Sequence, residues 1–93
     1  MLQLNYVPVL IDEFIVRHIA NETIIMSEDG NDIHVIDEIG SFIWKTIDGK
    51  RSFKAILEQI LNEYDVTEDI AAKDLTNFLQ ELSSKKIIRI ETE

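Results

Sequence analysis

The hydrophobic period of this chain changes at Asp37, and that change constrains the fold more than any other feature. Before it, β-rich runs occupy residues 14–19, 23–26 and 32–36, separated by turn signals at 21–22 and 28–31. Glycine, asparagine and aspartate in the second turn tolerate the left-handed backbone of a tight hairpin. Three consecutive short strands most simply form an antiparallel meander. We call the third of them, residues 32–36, predicted strand three.

After Asp37 the apolar spacing becomes helical and predicts three helices. Asp37, Ser52 and Thr67 are suited to cap their N-termini. The first helix is predicted to run from Asp37 to about Ile47, the second to begin after Ser52, and the third to span 68 to about 85. The second helix carries an amphipathic stripe that comprises Phe53, Ile56, Leu57, Ile60, Leu61 and Tyr64. The expected fold is α+β and winged-helix-like, a three-stranded antiparallel meander followed by three helices.

Length and composition limit the organisation of the chain. Ninety-three residues make a single domain, predicted at 13–93, preceded by an extended arm at 1–12. The tail at 87–90 is expected to be a last short strand or an extended end. The start resembles no signal peptide, and no apolar run is long enough to span a bilayer, so a cytoplasmic location is expected.

The charge balance and the missing cysteines exclude several kinds of chemistry. A net charge of −9 opposes binding to nucleic-acid phosphates and to anionic membranes, and it favours neutral or basic partners. Without cysteine there is no disulfide, no thiolate catalysis and no cysteine zinc site. His18 and His34 lack metal-ligand spacing, and the three glycines are scattered. We therefore expect no catalytic residues, no metal, no cofactor and no enzyme activity.

Predicted strand three is the first candidate for a binding site. A meander leaves this strand at an edge, with unpaired main-chain groups and no lysine or proline to guard it. Such an edge can accept a partner's extended segment as an additional strand. The alternative is that the arm or the tail of the same chain covers the edge. The strand residues assigned to peptide binding are Ile33, His34, Val35 and Ile36.

The third predicted helix supplies the second half of this candidate site. Its core line is predicted to be Ala71, Leu75, Phe78 and Leu82, with an uncharged flank on one side and Asp74, Glu81 and Lys85 on the other. An uncharged flank suits a peptide groove, although it would equally suit a wider core. The assigned flank and rim residues are Asp69, Ala72, Lys73, Thr76, Leu79, Gln80 and Ser83.

A basic corner between the first two helices is a candidate docking surface for an acidic partner. It consists of Lys45, Lys50, Arg51 and Lys54, and the alternative is an ordinary solvated corner. Trp44 lies nearby and is expected in the core, with a partner contact as the minority interpretation.

The segment Ile36-Asp37-Glu38-Ile39-Gly40-Ser41-Phe42-Ile43-Trp44-Lys45-Thr46-Ile47-Asp48-Gly49-Lys50-Arg51-Ser52 resembles the signature of the PqqD-like family. Glu63-Tyr64-Asp65-Val66, Asp74-Leu75, Phe78-Leu79, Leu82 and Ile87-Ile88 follow in the family's order, so the resemblance covers about residues 14–90. It departs from the family at Lys86, where glycine is usual, and at Ile33-His34, where many relatives carry aromatic residues.

The resemblance implies a recognition element for ribosomally made, modified peptides. In such a domain the leader of a precursor peptide adds as a strand beside strand three, against helix three. The bound peptide is then presented to a maturation enzyme such as a radical-SAM protein, a peptidase or a cyclase. Neither the precursor nor the class of product follows: pyrroloquinoline quinone, lasso peptides and thioether-bridged peptides all stay open.

The resemblance thus implies a stand-alone adaptor that binds a leader peptide, and two other functions are weighed against it. A winged-helix DNA-binding regulator would need a basic recognition helix, whereas helix three is mixed in charge. A small regulatory subunit could bind a folded partner through Trp44 and the basic corner. The expected state is a monomer, or a dimer in which the apolar arm at 6–11 is swapped.

Overall fold

The computed structural model describes residues 4–11, 14–27 and 29–92. In chain order its elements are β1 (Tyr6–Leu10), β2 (Ile15–Ile19), β3 (Glu22–Met26), β4 (Ile33–Ile36), α1 (Glu38–Thr46), α2 (Phe53–Glu63), α3 (Glu68–Ser84) and β5 (Ile88–Thr92). Strands β2, β3 and β4 form an antiparallel sheet in that order, and β4 is predicted strand three. The predicted fold class is therefore confirmed, with a further two-stranded ribbon of β1 and β5.

Two hairpins set the register of the meander. The β2–β3 turn places Ala20 in the left-handed region, at φ 54°, and pairs Ile19 with Glu22. In the β3–β4 turn, the N–H of Ser27 donates to the carbonyl of Asp32 at 3.0 Å. Gly30 has a φ of 75°, which is the conformation that favours glycine. Residue 28 of the predicted turn lies outside the described residues.

Each helix begins at the cap that was predicted. The side chain of Asp37 accepts from the N–H of Gly40 at 2.8 Å, and Ser52 accepts from Ala55 at 3.2 Å. Thr67 accepts from the N–H of Ile70 at 3.3 Å. These bonds satisfy main-chain donors that have no partner inside a helix.

The tail of the chain is a strand. β5 pairs antiparallel with β1, with Pro8 opposite Ile90. The N–H of Ile11 extends this pairing to the carbonyl of Ile87 at 3.1 Å, and the N–H of Lys54 on α2 donates to Leu4 at 3.0 Å. Residues 1–3 and 12 of the predicted arm, and residue 13 at the start of the predicted domain, lie outside the described residues.

The core lies between the three-stranded sheet and the helices. Its fully buried side chains include Ile25, Ile43, Phe53, Ile56, Leu75, Leu79, Ile87 and Ile88. Trp44 is only 9% exposed, which confirms its predicted place in the core. Phe78 was predicted to be core but is only partly buried. Its exposed part lines the candidate site described below.

The end of α3 shows how the chain accommodates its lysine in place of the family's glycine. The N–H of Lys86 donates to the carbonyl of Ser83 at 3.0 Å, and that of Ile87 donates to Leu82 at 2.9 Å. This pair of bonds is a Schellman motif. Lys86 adopts a φ of 62° to make it, which is the left-handed conformation that glycine adopts without strain.

Candidate functional site

Within the part of the chain that the structure describes, β4 pairs with β3 alone. The described residues of the arm and the tail pair with each other in the β1–β5 ribbon rather than with the edge of the sheet. The edge predicted from sequence therefore exists as an edge in the structure. β2 forms the opposite edge and carries Arg17, a charge of the kind that discourages strand addition.

The register shows which main-chain groups of β4 point outward. Ser27 directs its N–H toward the β4 side, and main-chain groups alternate sides along an antiparallel strand. Ile25 and its partner His34 therefore face each other across the ladder. The N–H and carbonyl groups of Ile33 and Val35 point away from β3. Both side chains are exposed, at 59% and 63%, so a new strand can approach this edge.

A groove of about 280 Å³ runs between this edge and α3. The side chains and main chain of β4 line one wall, and α3 supplies the other. Phe78 and Leu82 give the α3 wall an apolar surface, while Glu81 and Lys85 form an exposed ion pair at 3.0 Å along its rim. The α3 residues that line the groove are Phe78, Glu81, Leu82 and Lys85.

A second depression of about 320 Å³ continues the groove past the end of β4 and over the start of α1. The two share Asp37, Phe78 and Glu81. The residues that line the second depression are Asp37, Ile39, Gly40, Ile43, Asp74, Asn77, Phe78 and Glu81. A Cβ on Gly40 would overlap the side chain of Ile36 and lie 3.0 Å from the Phe78 ring, so glycine permits this close approach of α1.

The flank of α3 predicted to line the groove lies elsewhere, and this part of the prediction is corrected. Leu79 is 0% exposed, and Ala72 and Thr76 are also buried. α3 packs against both α2 and β5, so a wider arc of the helix is covered than the predicted core line allowed. The opposite flank, with Asp74, Glu81 and Lys85, faces the groove instead.

The remaining predicted α3 residues do not meet β4 either. Lys73, Thr76 and Gln80 line a separate depression with Asn77, and no β4 residue takes part in it. Asp69 is exposed and Ser83 is half-buried, and neither lines the groove. Contact between any of these residues and a peptide stays a prediction. In the sequence, the residues that do line the groove are marked by a charged flank beside an aromatic residue, Phe78.

The predicted docking corner is only partly free. Arg51 pairs with Asp48 at 3.5 Å and donates to the carbonyl of Thr46 at 3.3 Å. Its guanidinium is therefore already engaged within the connection between α1 and α2. The N–H groups of Arg51 and Lys50 hold the pKa of the Asp48 carboxyl below its usual range. Lys45, Lys50 and Lys54 are exposed. Their role in docking a partner stays a prediction.

A chain of hydrogen bonds, buried at Thr23 and Ser41, connects the sheet to α1. His18 Nδ1 lies 3.1 Å from Thr23 Oγ1, and Thr23 donates to Ser41 Oγ at 2.7 Å. Ser41 in turn donates to the carbonyl of Ile36 at 3.4 Å. Nearby, burial together with Glu38, Glu63 and Asp37 raises the pKa of Tyr64. This network satisfies buried hydroxyls, and so positions the end of β4 against α1.

The described residues contain no cluster of three histidine, aspartate or glutamate side chains that could hold a metal ion. His34 lines the groove, and its contact with a peptide stays a prediction. Separately, none of the helices in the described ranges is long and apolar enough to cross a bilayer.

The fold and the site together define a winged-helix-like domain whose open strand edge faces a helix-walled groove. The family model described as coenzyme PQQ synthesis protein D (PqqD) matches residues 22–88, more than two thirds of the chain. The chain therefore belongs to the PqqD family, which confirms the resemblance in the sequence.

Individual relatives agree with this assignment. The PqqA binding protein of Gluconobacter oxydans (strain 621H) is 32% identical over 54 residues, which are 58% of this chain and 56% of that protein. The match thus spans little more than half the length of that relative. The structure of TbiB1 in complex with the TbiA(beta) leader peptide superimposes with a TM-score of 0.77 and 26% identity, covering 87% of this chain and 94% of TbiB1.

A larger protein contains the same fold. The heterocyclase TruD matches with a TM-score of 0.65 over 92% of this chain, although only 12% of TruD takes part. At 16% identity this match shows a shared fold and nothing more.

Proposed function

We propose that the protein is an adaptor that binds the leader of a ribosomally synthesised precursor peptide. The leader adds as a strand to the outer edge of β4 and lies in the groove against α3. The adaptor has no part in the chemistry and presents the bound peptide to a separate maturation enzyme in the cytoplasm.

The observation that carries this proposal is the open β4 edge beside an apolar wall. Ile33 and Val35 offer N–H and carbonyl groups in the pattern that a second strand requires. Alternate side chains of that strand would point toward Phe78 and Leu82, or outward beside Ile33 and Val35. Main-chain bonds therefore supply affinity, and the groove selects side chains.

The relatives support the same function from their own names. TbiB1 was solved with a leader peptide, and the Gluconobacter protein is named for binding PqqA. TbiB1 superimposes on 87% of this chain, and the match to the Gluconobacter protein covers 58% of it. A radical-SAM enzyme, a peptidase or a cyclase is the class of maturation enzyme that such an adaptor serves, and the exposed lysines of the basic corner are a surface on which it could dock.

A titration with synthetic leaders tests the proposal. The probes are the N-terminal halves of short peptides encoded beside this gene, with their scrambled sequences as matched controls. We expect one leader to bind with micromolar affinity or better, about −8 kcal/mol. Hydrogen exchange of the Ile33 and Val35 amides should slow on binding, because both N–H groups point outward in the free protein.

Two results would contradict the proposal. One is binding that leaves the exchange of both amides unchanged, since the strand would then not be added at β4. The other is tight binding to duplex DNA that weakens steeply with salt, as expected of a winged-helix regulator.

A further inference from the structure

The depression beyond the end of β4 has a chemistry that the groove along β4 lacks. We call it the acidic subsite, and it is formed by the eight residues given above. Its lining combines the apolar side chains of Ile39, Ile43 and Phe78 with the carboxylates of Asp37, Asp74 and Glu81. Asn77 adds an amide to the lining.

The three carboxylates are not equally engaged. Glu81 is paired with Lys85 at 3.0 Å. One oxygen of Asp37 accepts the N–H of Gly40, which leaves the charge of the carboxylate in place. Among the described residues, neither Asp37 nor Asp74 makes an ion pair. The subsite therefore carries net negative charge, because three carboxylates stand among its lining residues and Lys85 pairs with one of them, Glu81.

The occupant of this subsite follows from its position and its charge. It is continuous with the groove along β4 through Asp37, Phe78 and Glu81, so a strand bound at β4 extends into it. A lining of apolar side chains and carboxylates fits a side chain that has an apolar stem and a cationic head. The chain carries a net charge of −9, which adds to the attraction for a cation.

We infer that the acidic subsite selects a leader with an arginine or lysine immediately beside its strand-forming segment. The basic side chain lies along Ile39 and the Phe78 ring and places its charge between Asp37 and Asp74. If the leader runs antiparallel to β4, the basic residue precedes the segment that pairs. If it runs parallel, the basic residue follows that segment. This inference rests on the proposed function and names the substrate feature that the site reads.

A selection experiment tests it without knowledge of the natural precursor. A displayed library of random peptides, long enough to span β4 and the subsite, is selected on the whole protein and counter-selected on the Val35→Pro variant. We expect the recovered peptides to share an alternating apolar segment with arginine or lysine on one flank only. Replacing that arginine with citrulline, which keeps its shape without its charge, should weaken binding roughly three- to tenfold.

Substitutions in the protein supply the matched arm. Asp74→Asn in the protein should lower the affinity for the arginine peptide about as much as citrulline in the peptide does. The Asp74→Asn protein should then bind the citrulline peptide no more weakly than either change alone allows. Glu58→Gln is the control, because it removes the same charge from an exposed position on α2 outside the groove and the acidic subsite. It should leave the affinity for the peptide within about twofold. Asp74→Lys should reverse the preference, so that peptides with glutamate on that flank bind better than those with arginine.

The outcomes separate this inference from the proposed function. Recovered peptides that need Val35 but show no basic preference overturn the inference and leave strand addition intact. So do peptides whose affinity falls equally with Asp74→Asn and Glu58→Gln. A selection that recovers no peptide dependent on Val35 overturns both.

Discussion

Replacing Val35 with proline tests the open edge most directly. Proline lacks an N–H, and the N–H of Val35 points away from β3, so the substitution removes a donor that the folded protein does not use internally. An edge position with an outward N–H is also where sheets accept proline. His34 precedes it in extended conformation, as proline requires of the residue before it.

The expected loss of leader affinity follows from the hydrogen bonds at this edge. Ile33 and Val35 together present four outward main-chain groups, and Val35→Pro deletes one donor. The leader carbonyl that would face Val35 is then left without its partner, at a cost of about 1–3 kcal/mol. Binding should weaken roughly 5- to 150-fold, whereas the free energy of unfolding should change by less than about 1 kcal/mol.

Isothermal titration with a leader, alongside urea unfolding of each variant, measures both quantities. Val35→Thr is the matched control, because it keeps the N–H and the β-branched shape and should bind nearly as the parent does. His34→Pro is the converse control: its N–H faces β3, so it should destabilise the sheet itself. A folded Val35→Pro protein that binds within about twofold of the parent would refute strand addition at β4.

Two further substitutions test the local structure around the groove. Lys86→Gly should stabilise the fold by about 0.5–1 kcal/mol, raising Tm by roughly 2–8 °C, because Lys86 holds a φ of 62°. Lys85→Gly is the control: it removes the same charge at a residue whose φ is −86°, so it should not raise the free energy of unfolding. Equal effects of the two substitutions would contradict backbone strain at Lys86. Gly40→Ala should cost about 1–2 kcal/mol in urea unfolding, since the clash with Ile36 outweighs the better helix propensity. Asn62 is exposed on α2, so Asn62→Ala improves helix propensity without a clash and serves as the control. A Gly40→Ala protein as stable as this control would contradict the close packing of Gly40 against Ile36.

The local elements could be predicted because their signals are local. Asp37, Ser52 and Thr67 mark helix starts by side-chain bonds to donors three residues away, and each bond is present. The hairpins depend on a few turn residues in the same way. Helix and strand bounds therefore agree with the pattern to within about two residues.

The β1–β5 ribbon could not be predicted from such signals. Its strands lie at the two ends of the chain, and nothing near Pro8 or Ile90 specifies the other. The segment that contains Pro8 was accordingly predicted as an extended arm without a partner strand. In a two-stranded ribbon each strand is an edge, so one side of β1 needs no donor, which is why a proline is tolerated there.

The groove wall on α3 was misjudged for a physical reason. A flank of Ala72, Thr76 and Leu79 has no charge, and that is equally the composition of a surface covered by neighbours. A groove that stands empty in the free protein must be stable in water. An apolar wall without charges at its rim would instead be a patch prone to association.

The charges of the opposite flank are therefore compatible with the candidate site. Asp74, Glu81 and Lys85 keep the rim solvated while Phe78, half-buried between them and the core, supplies the apolar wall. For a helix beside an open strand edge, the boundary between the apolar and charged arcs is the better place to look for a peptide. At that boundary, one aromatic residue can contact both the core and a ligand, and the neighbouring charges can make binding selective for a ligand of complementary charge.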